Sequence, residues 1–115
     1  MAYNEELANR VRALLADKPV EIDEKKMFGG MCFMVNGKMC LGVHRDRLMA
    51  RIDPAIYDEV MEKEGCMPMD FTGKVMRGLV FVALDSLNTK KKLADWVNLA
   101  MEYNPFAKAS KANRK

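Results

Sequence analysis

The chain has 115 residues, of which half are hydrophobic and 30% charged, the size and mix of one globular domain with a real core of its own. No apolar run approaches the ~20 residues a membrane span requires. The first ten residues, MAYNEELANR, carry no basic n-region or apolar h-region, so the expected compartment is the cytoplasm. Three cysteines, Cys32, Cys40 and Cys66, form neither a disulfide framework nor, with His44 as the only histidine, a zinc site. The formal charge is +3, but Lys108, Lys111, Arg114 and Lys115 follow Pro105 with no acid among them. The folded part is close to neutral, which argues against a dedicated nucleic-acid-binding surface.

The first element is a helix from about Tyr3 to Asp17. Tyr3, Leu7, Val11, Leu14 and Leu15 fall on one stripe of a 3.6-residue period. Lys18-Pro19 ends it, and Val20 to Glu24 is a connector. Lys25 to Ile52 then reads as three antiparallel strands. Asn36-Gly37 between two apolar runs is the sequence of a type I′ hairpin turn. A regular two-residue turn sets Val35 opposite Lys38, Met34 opposite Met39, Phe33 opposite Cys40 and Cys32 opposite Leu41. One face then carries Met31, Phe33, Val35 and Cys40, followed by Gly42 and His44. The other carries Cys32, Met34, Met39, Leu41 and Val43. Both faces are apolar, so both are expected to be covered, and Cys32 and Cys40 lie on opposite sides.

A second turn near Arg45-Asp46 leads to Leu48 to Ile52. Asp53-Pro54 starts a helix whose buried stripe is Ile56, Tyr57, Val60 and Met61, with Gly65 just beyond its end. A loop follows, with an edge strand expected near Met69-Asp70-Phe71. Val75 to Leu84 is a buried strand. Ser86 or Asn88 caps a last helix that runs to about Tyr103 and buries Leu93, Trp96, Val97, Ala100 and Met101. Residues 105–115 are expected to form a basic, disordered tail. The order α-β-β-β-α-(β)-β-α predicts one α+β domain over residues 1–104, with an antiparallel sheet of about five strands and its helices mainly on one face.

Several strings resemble the N-terminal domain of the TfoX/Sxy family. They are Lys25-Lys26-Met27-Phe28-Gly29-Gly30, the Asn36-Gly37 hairpin, Arg47-Leu48, and Met69-Asp70-Phe71-Thr72-Gly73 followed by Met76-Arg77-Gly78-Leu79-Val80-Phe81-Val82. The Trp96-Val97 helix is similar as well, so the likeness covers roughly residues 3–104. The resemblance implies an α+β fold similar to the secretion-chaperone class, often dimeric. In full-length members this domain precedes a helical one, and the proteins regulate competence genes together with a cyclic-AMP receptor protein. This chain resembles small stand-alone members that lack the second domain. An adaptor role carries over, and no enzymatic activity is implied.

Chemistry-bearing candidates are few. The Met27-Phe28-Gly29-Gly30 string is neither G-x-G-x-x-G nor a P-loop; its glycines allow close approach of a ligand or, by the more general rule, mark a β-bulge. Lys26, Arg51 and Arg77 come from different strand-like segments and either converge on an anion or snorkel at sheet edges. Lys26, Phe28, Gly29, Gly30, Arg51 and Arg77 are therefore the candidate ligand- or partner-binding residues. No catalytic, metal or cofactor constellation is expected. His44 reads as an end-of-strand residue, and Cys66 sits after a helix where the dipole disfavours a thiolate. Eleven methionines, five of them in the central sheet, suggest an adaptable surface, so a homodimer or protein partner is expected on a Met-rich sheet face. The alternative is a nucleic-acid- or small-anion-binding domain using Lys26, Arg51 and Arg77.

Overall fold

The computed structural model describes residues 3–27, 30–68 and 78–107. Helix α1 spans Glu5–Ala16. It begins two residues later than the apolar stripe suggests because Asn4 is the cap. The Asn4 side chain accepts from the Leu7 amide at 2.9 Å, and Glu5 and Glu6 sit in the first turn, where negative charge meets the positive end of the dipole. Tyr3 lies outside the helix and bridges to Arg45.

Among the described residues six strands form one antiparallel sheet in the order β1-β2-β3-β4-β6-β5. They are β1 (Ile22–Met27), β2 (Gly30–Val35), β3 (Lys38–His44), β4 (Arg47–Arg51), β5 (Cys66–Pro68) and β6 (Leu79–Ala83). The stretch taken for a connector is largely strand: Ile22 pairs with Val35 and Met27 with Gly30. Met27 and Gly30 therefore belong to two strands of a hairpin, and the reading of this string as a bulge within one strand does not hold. The edge strand lies at Cys66–Pro68; the expected strand near Met69-Phe71 and residues 75–77 of the next one fall outside the described residues, as do residues 108–115.

The Asn36-Gly37 turn is present, with φ of 54° and 81°. The register it starts does not persist. Met34 pairs with Met39, but Phe33 pairs with Leu41, so Cys40 is an extra residue and β3 is bulged there. Cys40 and Leu41 both pack toward the helices, and Leu41 and Val43 join Phe33 and Val35 in the main core. The regular hairpin would have placed Leu41 and Val43 on the other face, and Gly42 and His44 on this one. Cys32 and Cys40 do lie in clusters on opposite sides of the sheet, and all three cysteines are free thiols.

Beyond β4, Asp53 accepts from the Ala55 amide and opens a 3-10 turn (Pro54–Ile56) that runs into the short helix α2 (Tyr57–Val60). Helix α3 (Lys90–Tyr103) is capped by Thr89, whose Oγ1 accepts from the Lys92 amide at 3.1 Å. Ser86 and Leu87 are instead buried in a 3-10 turn. The main core joins Leu7, Val11 and Leu15 of α1 and Leu93, Trp96 and Val97 of α3 to one face of the sheet. The architecture is α+β: an open six-stranded antiparallel sheet with the helices packed on one side.

Candidate functional site

Alternation along each strand assigns the side chains to two faces. Leu48 and Ala50 of β4, and Val80 and Val82 of β6, join the helix-side core. Arg47, Met49 and Arg51 therefore project from the opposite face, together with Leu79 and Phe81. That face gathers a second apolar cluster of Cys32, Met34, Met39, Met49 and Phe81, with Met67 and Leu79 packed against it. The expectation of two apolar faces is met, but the centre of this one is closed within a single chain: its five members are between 0% and 8% exposed. Among the described residues Phe106 is the exposed large hydrophobic. Among the described residues, no large hydrophobic side chain of this face is exposed.

Two arginines lie over this cluster. The Arg47 guanidinium carbon is 4.0 Å from the centre of the Phe81 ring, and its Nη2 donates to His44 Nδ1 at 2.9 Å. That bond places the proton of a neutral His44 on Nε2. The His44 ring stacks on Phe81 with centroids 5.7 Å apart. Burial holds the His44 pKa below its ordinary value, and the charges of Arg47 and Arg45 push it the same way. Arg51 reaches along the sheet and donates to the Met39 carbonyl at 3.3 Å. Arg47 and Arg51 stand two alternations apart on one strand, roughly 13 Å along the backbone, and their guanidinium groups go to different partners, Phe81 and His44 for the first and the Met39 carbonyl for the second. The sequence reading missed the His44–Arg47–Phe81 cluster because the bulge at Cys40 reversed the parity of His44.

The residues singled out from sequence do not assemble. Lys26 pairs with Met31, which packs on the helix-side core. Its β1 neighbour Glu24 reaches Arg12 of α1, which marks the even-numbered residues of β1 as helix-side. Arg51 points from the other face and lies on β4, three strands along the sheet from β1. Lys26 and Arg51 therefore cannot share a ligand, because the sheet itself stands between them. Gly30 is buried, and a Cβ there would collide with the Val43 carbonyl oxygen. It serves close packing of β2 on β3. Phe28, Gly29 and Arg77 lie outside the described residues.

The remaining chemistry is muted. Burial pushes the Cys32 and Cys66 thiols up to about 11 and Cys40 to about 12, so each is a protonated, poor nucleophile near neutral pH. The two sulfur contacts, Cys40 Sγ to Met101 Sδ at 3.9 Å and Cys66 Sγ to Met61 Sδ at 3.7 Å, join soft groups inside packed regions. Among the described residues no group of three His, Cys, Asp or Glu side chains could hold a metal ion, and no helix is long and apolar enough to cross a membrane. A cleft of about 330 Å³ beside α3, lined in part by Lys63, Glu64, Lys92, Asp95 and Trp96, mixes both charge signs and aims no set of like groups at one point.

No curated protein and no solved structure matches the chain. The family model described as the TfoX N-terminal domain matches residues 13–103, which run from the last turn of α1 to the end of α3. The chain belongs to the TfoX N-terminal domain family.

Proposed function

We propose that this protein is a non-enzymatic regulatory domain, an adaptor that acts on transcription through protein contacts. The observation that carries the reading is the family match over residues 13–103, since the resemblance described above links that family to the regulation of competence genes. The chemistry of the described side chains fits the same reading. The thiols are held protonated by burial, and His44 is committed to Arg47 and Phe81 in place of a substrate. A three-residue anion site does not support the alternative, because Lys26 and Arg51 occupy opposite faces.

The test is genetic. The coding gene is deleted, and transcript levels are compared with those of the parent and of a strain complemented with the wild-type gene. The expected result is a limited set of transcripts that shifts on deletion and returns on complementation. Unchanged transcripts across growth phases and nutrient shifts would overturn the reading. A fluorescence-anisotropy titration with duplex DNA adds a second arm. Binding that falls steeply with added salt would mark direct nucleic-acid contact in place of an adaptor role.

A further inference from the structure

Strand β1 is one end of the sheet, and no described residue pairs with its outer edge. The phase of its hydrogen bonds follows from the hairpin beside it. The Asn36 amide donates to the Glu21 carbonyl at 2.8 Å, and the β1–β2 register continues stepwise from there through Ile22↔Val35 and Asp23↔Met34. Bonded pairs alternate in an antiparallel ladder. Asp23 and Lys25 therefore turn their backbone groups toward β2, and Ile22, Glu24 and Lys26 turn theirs outward.

Charge on a free edge ordinarily discourages pairing. Here the signs are ordered. The face away from the helices shows Asp23 then Lys25, and the helix side shows Glu24 then Lys26; all four residues are exposed, with the Glu24 side chain partly covered by Arg12. A two-fold axis that joins two antiparallel edges keeps each face on its own side. Only registers in which a residue meets one of the same parity are then possible. Centring the pair on Lys25 would set that residue against itself in the closest type of pair. Centring it on Glu24 sets Asp23 against Lys25 of the second copy, and Lys25 against Asp23 of the second copy, in the narrow non-hydrogen-bonded positions where side chains are nearest. The two Glu24 side chains then face one another. Each is already held by its own Arg12, through Nε to Oε2 at 2.6 Å and Nη2 to Oε1 at 2.8 Å, so the central pair brings two neutralised carboxylates together.

We propose that two copies of this chain pair antiparallel through β1, centred on Glu24, to give one continuous sheet with the helices of both copies on the same side. The backbone groups of Ile22, Glu24 and Lys26 form the ladder, and the Asp23–Lys25 pairs select the register. This interface is the outer edge of β1, one strand beyond Cys32 and Met34 of the Met-rich cluster, and does not rest on the regulatory reading above.

Sedimentation equilibrium of the full chain over a micromolar concentration series tests it. The wild type is expected to dimerise. Asp23→Lys and Lys25→Asp are each expected to weaken the dimer about tenfold, because each turns two attractive cross-strand pairs into repulsive ones. Both positions are exposed, and circular dichroism confirms that the variants stay folded. An equimolar mixture of the two variants is expected to recover dimers, since each reversed charge then meets its opposite on the other chain. A wild type that stays monomeric, single variants that dimerise as the wild type does, or a mixture that stays monomeric would each overturn the proposal.

Discussion

The guanidinium of Arg47 and the ring of Phe81 come from adjacent strands and meet with 4.0 Å between the guanidinium carbon and the ring centre. Arg47 pairs with Ala83 and Met49 with Phe81, so the contact is a diagonal one across β4 and β6. His44 completes it by stacking on the same ring and accepting from the same guanidinium. Arg47→Ala is expected to cost about 1 kcal/mol, the worth of a partly desolvated cation–π contact. It should also raise the His44 pKa while leaving it below the ordinary value, because burial is the larger cause of the depression. The sign for stability follows. A depressed histidine pKa means that the unfolded chain binds the proton more readily, so the wild type loses stability as pH falls from about 6.5, the unfolded value, through the lower folded one. The variant should lose less over that window. An NMR titration of the single histidine and urea melts across the same pH range measure both effects.

Asn104 is a buried polar side chain, 3% exposed, whose Nδ2 donates to the Val35 carbonyl at 3.1 Å. Lys38 Nζ in turn donates to the Asn104 carbonyl at 3.2 Å. These bonds fasten the end of α3 to the base of the β2–β3 hairpin. Asn104→Ala leaves the Val35 carbonyl without that donor in a buried setting, at an expected cost of about 1–3 kcal/mol. Chemical denaturation should show a lower midpoint with an unchanged slope. Lys38→Ala should cost less, because its donor lies nearer water.

Gly65 and Gly37 share a positive φ, 79° and 81°, but differ in surroundings. A Cβ on Gly65 would run into the Ser86 side chain, whereas nothing lies within 4 Å of one on Gly37. Gly37→Ala therefore meets only the left-handed backbone penalty, about 1–2 kcal/mol. Gly65→Ala adds a steric clash and should be clearly the worse of the two. It also strains the link from α2 to β5, where the Ala83 amide donates to the Gly65 carbonyl at 2.9 Å. Thermal melts of the two variants against the wild type give the comparison.

The three thiols should be slow toward a disulfide reagent at pH 8, because burial keeps them protonated well above that pH. Cys66, half-buried, should react first. Cys32 and Cys40, 0% and 1% exposed, should wait for unfolding. Reaction rates measured with and without denaturant check the order, and rapid labelling of Cys40 in the native protein would contradict it.

Local chemistry was the legible part of the sequence. The Asn36-Gly37 turn, the Asp53-Pro54 start and the apolar stripes of α1 and α3 each rest on residues whose backbone preference or period is decided nearby. Strand β1 escaped notice because Ile22-Asp23-Glu24-Lys25-Lys26-Met27 is almost wholly charged. As an end strand it packs only one weakly apolar side, so the period-2 signal is absent. The cap at Asn4 was missed because the apolar stripe already begins at Tyr3, and the cap at Thr89 because Ser86 and Asn88 compete for the same role, which the burial of Ser86 and Leu87 decides. The candidate cations failed on geometry that no local pattern holds. Whether Lys26 and Arg51 share a face depends on the phase of two strands set by a hairpin, a bulge and the sheet order together.

The bulge at Cys40 makes the β2–β3 hairpin one residue longer than its pairing requires. Met39 and Leu41 already face consecutive residues of β2, so a chain lacking Cys40 could close into a regular ladder with every other side chain on its present side. Loss of a residue at almost any other point in the sheet would instead turn a whole strand inside out. The position is thus a length buffer: the one place in the central hairpin where the chain could shorten at the cost of a single buried thiol and its contact with Met101, while both faces of the sheet keep their character.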